Sequence, residues 1–156
     1  DMRLINESIN NYCTPILVLN KWDLLNEEQK LNINSSLSSH LKKYNWIKVI
    51  RISALTKKGL EKFSKTITEI YLQLDTRINT SDLNLYFREL WVSSPPHPFR
   101  GRRAKLKYVT QYDTNPPSFS FNLSSRIPKN YESFVENKIR KEFKFNNVSI
   151  MIKFKN

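Results

Sequence analysis

Residues 16–23 read Ile-Leu-Val-Leu-Asn-Lys-Trp-Asp, an unbroken apolar run followed directly by polar residues. Four consecutive apolar residues are typical of a strand that is buried on both faces, as in a parallel sheet. Asn26 predicts the N-cap of a helix, because Gln29 three residues later completes a capping box. This stretch therefore predicts a buried strand, a short polar loop at its carboxyl end, and a helix.

The rest of the first half continues the alternation of strand and helix. Apolar residues at helical spacing predict a helix over 2–12, and the helix after Asn26 is expected to reach about residue 44. Residues 48–52 predict a second strand, and residues 59–74 predict another amphipathic helix. Strand, helix, strand and helix in short order indicate a parallel α/β fold.

The second half has a different rhythm. Thr80 predicts the cap of a helix that Pro95 stops, and a second helix is expected after Pro128. Alternation of apolar and polar residues predicts three strands, at 105–112, 119–123 and 148–154. The order α-β-β-α-β indicates an α+β module, in which helices lie on one face of a small three-stranded sheet.

The change of rhythm near residues 75–79 predicts two domains, residues 1–76 and residues 77–156. Charge divides at the same place: the first part has 11 basic and 8 acidic residues, and the second has 15 basic and 6 acidic residues. Most of the net charge of +12 therefore lies in the second part. Such a surplus attracts polyanions, of which RNA is the commonest in a cytoplasm.

Glycine is scarce, since the chain contains two, Gly59 and Gly101. A P-loop, a dinucleotide-binding fingerprint and the clamp of a typical KH domain each need glycines a few residues apart, so this chain contains none of them. The single cysteine, Cys13, excludes an internal disulfide and favours a reducing, cytoplasmic setting. The sequence contains no run of eighteen apolar residues, so it predicts no membrane-spanning helix.

The sharpest motif is Asn20-Lys21-Trp22-Asp23, which follows the first strand. Guanine presents two adjacent donors, N1–H and its exocyclic amine, and the Asp23 carboxylate can accept both in charge-assisted bonds of roughly 1.5–3 kcal/mol each. Asn20 can bond the base and tie neighbouring loops together, and the Lys21 stem can lie along the purine. The alternative is a solvated turn that precedes a capped helix.

A second motif, Ser53-Ala54-Leu55, follows the next strand. The Ala54 N–H could donate to guanine O6, its small side chain permits close approach, and Ser53 could brace the loop. Open α/β sheets bind ligands at the carboxyl ends of their strands, so the two motifs together predict a guanine site. No residue is assigned a catalytic or metal-binding role.

A basic stretch runs from Arg100 to Lys107 and precedes the first strand of the second half. Its candidates for contact with RNA or the ribosome are Arg100, Arg102, Arg103, Lys105 and Lys107. Arginine forks suit phosphate oxygens bidentately, which favours RNA. The alternative is a solvated sheet edge on which lysine discourages strand pairing.

These motifs belong to a longer ordered set of residues. The set comprises Asn20-Lys21-Trp22-Asp23, Ser53-Ala54-Leu55-Thr56, Gly59-Leu60, Arg77-Ile78, Thr80, Leu83-Asn84, Pro95-Pro96, Arg100-Gly101-Arg102-Arg103-Ala104-Lys105, Tyr108, Thr110-Gln111, Pro116-Pro117, Phe119, Tyr131, Glu136-Asn137, Arg140 and Phe143. Together they resemble the C-terminal part of the Der (EngA) family of ribosome biogenesis GTPases. That family has two tandem GTPase domains followed by a KH-like domain.

The resemblance implies a partial P-loop-type GTPase domain at 1–76 and a KH-like domain at 77–156. It implies GTP or GDP as ligand at Asn20, Lys21, Asp23, Ser53 and Ala54. Its implied partners are the large ribosomal subunit with its rRNA and the remaining GTPase domains of a longer protein. The P-loop, switches and Mg²⁺ ligands are not in this sequence, so we expect weak GTP binding and no unaided hydrolysis.

Two other hypotheses stay open. One is a stand-alone basic RNA-binding module whose nucleotide half is vestigial. The other is the GTPase Era, which also couples these motifs to a KH domain, although that KH domain carries the glycine clamp that this chain cannot form.

Overall fold

The computed structural model describes residues 2–156, and its strands form two separate sheets, one of two strands and one of three. The chain divides into two units between Leu72 and Gln73. Each unit combines helices with a sheet, so the fold is mixed α/β.

The first unit contains a two-stranded parallel sheet and its flanking helices. The strands pair in register from Ile16 opposite Lys48 to Leu19 opposite Arg51. The helices and strands are α1 (Met2–Asn10), β1 (Ile16–Leu19), α2 (Glu27–His40), β2 (Lys48–Arg51) and α3 (Leu60–Leu74), with short 3₁₀ helices at Trp22–Leu24 and Lys42–Tyr44. The last two residues of α3 lie past the division of the chain.

The start of α2 is the one that the sequence predicts. The Asn26 side-chain oxygen accepts from the Gln29 N–H at 2.9 Å, and the Gln29 side-chain oxygen accepts from the Asn26 N–H at 3.0 Å. The helix ends at His40 rather than near residue 44, because Leu41 leaves helical geometry (φ −93°, ψ 7°) and the next turn is a 3₁₀ helix. Similarly, α1 ends at Asn10, two residues before the predicted end.

Strand β1 is half-buried along its whole length, so the prediction of burial on both faces is wrong. In the described residues it has one strand neighbour, β2, and its other edge is unpaired. Apolar packing in this unit centres on four buried residues, Ile5, Leu41, Trp46 and Ile47. Leu17 of β1 packs against this cluster.

The second unit contains the three-stranded sheet, in strand order β3-β4-β5. The central strand β4 is antiparallel to β3 and parallel to β5. The helices and strands are α4 (Thr80–Ser93), β3 (Leu106–Thr114), β4 (Pro117–Leu123), α5 (Lys129–Glu142) and β5 (Met151–Lys155).

The cap of α4 is Asn79 and not Thr80, which corrects the prediction. The Asn79 side-chain oxygen accepts from the Ser81 N–H at 3.1 Å and from the Ser81 hydroxyl at 2.8 Å. Asparagine is among the strongest N-cap residues, and its extended backbone (φ −62°, ψ 134°) precedes the first helical residue. Thr80 is therefore the first residue inside the helix.

An aromatic core joins α4 to one face of the sheet. The Phe87 ring meets Phe121 edge-on at 4.8 Å, and Trp91 stacks on Phe121 at 6.2 Å between ring centroids. Tyr131 of α5 packs edge-on against Trp91 at 5.2 Å and donates its hydroxyl hydrogen to the Ser94 carbonyl at 2.6 Å. Burial raises the pKa of Tyr131 to about 12.

Arg140 joins α5 to the segment before β5. Its side chain donates to the Phe145 and Val148 carbonyls at 3.2 and 2.7 Å, and to the Glu136 carboxylate at 2.9 and 3.0 Å. Burial lowers the pKa of Arg140, and the Glu136 carboxylate opposes that shift. The Val148 carbonyl accepts from a side chain instead of a strand neighbour, and β5 begins at Met151 rather than at residue 148 as predicted.

Candidate guanine-recognition loops and basic clefts

The two predicted nucleotide loops meet at one edge of the parallel sheet. Since β1 and β2 are parallel, both carboxyl ends lie at that edge. The backbone ladder continues past the strands: Ile52 N–H donates to Leu19 O at 2.9 Å, and Trp22 N–H donates to Ile52 O at 3.0 Å. The loop that begins at Asn20 is thereby held against the exit of β2.

Asn20 ties the two loops together through its side chain. Its Oδ1 accepts from the Lys21 N–H at 2.8 Å and from the Ala54 N–H at 3.0 Å. The first bond accompanies a left-handed backbone at Lys21 (φ 60°, ψ 30°), which turns the chain into the 3₁₀ helix. Because both bonds use the oxygen, the Asn20 amide NH₂ is left to donate elsewhere.

Ala54 differs from its expected role in one respect. The sequence predicts that its N–H donates to guanine O6, whereas the structure shows that N–H donating to Asn20 Oδ1 at 3.0 Å. A purine oxygen at this place would share the hydrogen in a three-centre bond or replace the Asn20 oxygen.

Ser53 makes two hydrogen bonds within the second loop. It is 2% exposed, its N–H donates to Lys58 O at 2.9 Å, and its Oγ accepts from the Thr56 N–H at 3.2 Å. Gly59 closes the same loop with a φ of +84°, and a Cβ there would overlap the Arg51 carbonyl oxygen. The sequence analysis gave Gly59 no role in the loop. The scarcity of glycine in this chain is the signal that could have indicated one.

Asp23 lies on the 3₁₀ helix Trp22–Leu24 and is exposed. Among residues 2–156, its carboxylate makes no hydrogen bond or ion pair, so both oxygens are available as acceptors. The Trp22 ring beside it lies under the Arg51 guanidinium, 5.1 Å from the ring centroid, and Arg51 also donates to Asn34. This arginine–tryptophan contact, which the sequence did not predict, anchors the loop that carries Asp23.

The basic stretch begins with a tight hairpin. Phe99 N–H donates to Arg102 O at 2.9 Å, and Arg102 N–H donates to Phe99 O at 3.1 Å. The two residues between them, Arg100 and Gly101, both have positive φ values (49° and 76°), as the central residues of a type I′ turn do. Arg100 is exposed at the tip of the hairpin, with its guanidinium 5.6 Å from the Phe99 ring centroid.

The five basic candidates do not share one surface. Arg100 and Arg102 line a cleft of about 500 Å³, the arginine cleft, together with Phe99, Ser124, Ser125, Arg126 and Asn156. Arg103 and Lys105 line a different cleft of about 450 Å³, the tryptophan cleft, with Arg88, Trp91, Val92 and Pro95. Lys107 is exposed on β3 and lines neither cleft. Sequence reasoning missed Arg126 and Arg88, which lie far from the basic stretch along the chain.

Within residues 2–156, no group of three or more His, Cys, Asp and Glu side chains could hold a metal ion. None of the helices in that part of the chain combines the length and apolar character that crossing a bilayer requires.

Comparison with known proteins gives a consistent result. A family model described as the KH-domain-like, C-terminal part of EngA bacterial GTPase enzymes matches residues 77–155. Proteins named GTPase Der from Chlorobium limicola and Chlorobium luteolum are each 34% identical to this chain over 158 aligned positions. The GTPase Der of Chlorobaculum tepidum is 32% identical over the same length. Each alignment covers 99% of this chain and 36% of the relative, so the chain spans about a third of their length.

Proposed function

We propose that this chain, which belongs to the EngA (Der) family of bacterial GTPases, supplies guanine recognition through its first half and ribosome contact through its second half. The observation that carries the proposal is the hydrogen bond from the Ala54 N–H to Asn20 Oδ1, which brings the two candidate loops to one site. We assign residues 1–76 to the end of a GTPase domain and residues 77–156 to its KH-like domain.

Guanine recognition is assigned to three kinds of group in these loops. The unpaired Asp23 carboxylate accepts from guanine N1–H and the exocyclic amine. The Asn20 NH₂ donates to an acceptor on the base. The Ala54 N–H donates to guanine O6 as well as to Asn20 Oδ1. Adenine offers no donor at N1, so it would leave Asp23 unpaired. Lys21 lies along the purine, and Ser53 keeps the second loop closed.

The test compares nucleotides that differ at the atoms that Asp23 contacts. We expect GDP to bind at least about tenfold more tightly than ADP, because each charge-assisted bond contributes roughly 1.5–3 kcal/mol. Asp23→Asn should weaken the binding of GDP and strengthen the binding of xanthosine diphosphate. An amide side chain offers one acceptor and one donor, and xanthine carries an oxygen in place of the exocyclic amine of guanine. Energy transfer from Trp22 to a fluorescent label on the nucleotide measures each affinity.

Glu28→Gln is the matched control, because it removes the same charge from an exposed residue nearby in sequence. It should leave the affinity for GDP unchanged. Equal binding of GDP and ADP, or the same small effect from Asp23→Asn and Glu28→Gln, would contradict guanine recognition by these loops. Retained, salt-sensitive RNA binding in that case would favour the stand-alone RNA-binding hypothesis.

The second half is proposed to contact rRNA in the large ribosomal subunit during its assembly in the cytoplasm. Support comes from the net charge of +9 over residues 77–156 and from two clefts lined by arginine and lysine. Arg103→Gln and Lys105→Gln should each weaken binding to large subunits in co-sedimentation, most strongly at low salt. Lys141→Gln, which removes a charge outside both clefts, should not. Equal effects of all three variants would contradict the assignment.

A further inference from the structure

We propose that the arginine cleft is a binding site for phosphate groups of an RNA backbone, with Arg126 as a contact residue that the basic stretch does not contain. This inference rests on the RNA contact proposed above and assigns it a place and a chemistry. The cleft holds about 500 Å³, and its charged side chains are Arg100, Arg102 and Arg126.

Charge is the first argument. Three arginines line the cleft, and no Asp or Glu does. In the described residues, none of the three forms a salt bridge, whereas Arg140 is paired with Glu136. Uncompensated arginines that converge on one cleft favour an anion, and their forked donors match phosphate oxygens bidentately.

Rigidity of the backbone is the second argument. One wall is the hairpin closed by the two hydrogen bonds between Phe99 and Arg102. The other wall is fixed to the basic stretch, because Ser124 N–H donates to Lys105 O and Lys105 N–H donates to Ser124 Oγ, both at 2.9 Å. These hydrogen bonds hold the backbone from which the arginines extend, so binding does not have to order that part of the main chain.

Unused hydroxyl donors are the third argument. Ser124 Oγ accepts from Lys105 N–H, so its own hydrogen is free to point into the cleft. Ser125 also lines the cleft, and its hydroxyl is buried without a hydrogen-bond partner among residues 2–156. A phosphate oxygen in the cleft offers an acceptor to these hydroxyl groups.

A backbone phosphate suits the site better than an isolated anion because the positive surface continues. A neighbouring cleft of about 390 Å³ shares Phe99, Ser125, Arg126 and Asn156 with the arginine cleft. Its charged side chains, besides Arg126, are Lys129, Lys155 and one acid, Glu132. The two clefts together form a positively charged track longer than one phosphate. A chain with evenly spaced charges can follow such a track.

The experiment uses the full 156-residue chain and a labelled 12-nucleotide single-stranded RNA. Fluorescence anisotropy from 50 to 300 mM KCl gives the affinity and its salt dependence. We expect Arg126→Gln to lower the affinity about fivefold at 0.1 M salt and to reduce the slope of log K against log salt by about 0.7, the value for one phosphate contact on a single strand. Arg126→Lys should keep most of the slope, and Lys141→Gln should stay close to wild type.

The Arg126 side-chain NMR signal identifies the source of the phosphate. We expect it to shift on addition of RNA, and to shift only weakly with inorganic phosphate at the same phosphate concentration. Equal saturation by both would overturn the RNA assignment in favour of a small anion. If Arg126→Gln and Lys141→Gln bind RNA with equal affinity, the assignment of the arginine cleft as the binding site is wrong.

Arg103→Gln separates this inference from the proposed function. If Arg103→Gln weakens RNA binding and Arg126→Gln does not, the arginine cleft is wrong and the general RNA contact stands. If neither variant weakens binding, the RNA contact itself is wrong. A matching far-ultraviolet circular dichroism spectrum for each variant shows that the fold is retained.

Discussion

The Asn20 side-chain oxygen accepts the Ala54 amide hydrogen at 3.0 Å, which joins two loops that are 34 residues apart in sequence. The same oxygen accepts from the Lys21 N–H at 2.8 Å. One amide side chain thus fixes both the turn after β1 and the approach of the loop after β2. A single substitution at Asn20 should loosen the whole site.

Asn20→Ala and Asn20→Asp separate the structural bond from base recognition. Asn20→Ala removes both hydrogen bonds, so we expect a loss of about 1–2 kcal/mol of local stability and faster hydrogen exchange at the Ala54 amide. Asn20→Asp keeps the acceptor and should preserve the protection of Ala54, while it loses the NH₂ donor proposed for the base. Equal exchange at Ala54 in the wild type and Asn20→Ala would show that the bond contributes nothing.

Gly59→Ala and Gly101→Ala form a matched pair. Both glycines have positive φ, which costs alanine about 1 kcal/mol. A Cβ at Gly59 would also overlap the Arg51 carbonyl oxygen, whereas a Cβ at Gly101 would meet no atom within 4 Å. We expect Gly59→Ala to lower the free energy of unfolding by at least about 2 kcal/mol, since the backbone must also move.

Urea unfolding measures both variants. The expected order is wild type, then Gly101→Ala, then Gly59→Ala. A larger effect at Gly101 than at Gly59 would contradict the close approach of Gly59 to β2.

Arg140→Met should be among the most destabilising substitutions in the second unit. It leaves the Phe145 and Val148 carbonyls without their donor, and each unsatisfied buried group costs about 1–3 kcal/mol. Glu136→Gln is the control, because Glu136 is 42% exposed at its side chain and a glutamine oxygen can still accept from Arg140. Thermal unfolding that ranks Glu136→Gln below Arg140→Met in stability would contradict the assigned contacts.

Because Tyr131 is buried, we expect the free energy of unfolding to fall at alkaline pH. Its pKa is raised to about 12 by burial, whereas the phenol of an unfolded chain titrates near 10. The unfolded state therefore loses its proton first, so the free energy of unfolding falls as the pH rises from about 10 to 12, by about 2 kcal/mol.

Tyr131→Phe removes this titration. It should be slightly less stable than wild type at pH 7, because the Ser94 carbonyl loses its donor, and the two proteins should converge above pH 10. Denaturant unfolding at pH 8, 10 and 11.5 follows the difference. A constant difference across this range would show that Tyr131 titrates normally.

Local sequence patterns predicted the helices and strands, because capping residues and apolar spacing act over only a few residues. The capping box at Asn26 depends on Gln29 alone, and it was found. The cap of α4 is Asn79 rather than the predicted Thr80, because both residue types are good N-caps and the backbone angles that decide between them are not specified by the sequence.

Contacts distant in sequence were not predictable in the same way. Arg51 lies over Trp22, and Arg126 joins Arg100 and Arg102, only because the fold brings separate segments together. The division of the basic stretch between two clefts follows from its conformation as a hairpin and extended chain, in which Arg102 and Arg103 face different surfaces. Composition indicated a basic surface, but it could not show that the basic residues divide between two clefts.

The parallel pairing of β4 with β5 imposes an order on biosynthesis. During translation, β4 emerges next to β3 and pairs with it, but its second edge has no complementary segment until Met151–Lys155 leave the exit tunnel. Until then, an edge flanked by Phe119 and Phe121 is open to pairing with other nascent chains. A stop codon between α5 and β5 should therefore yield aggregates rather than a shortened, soluble product.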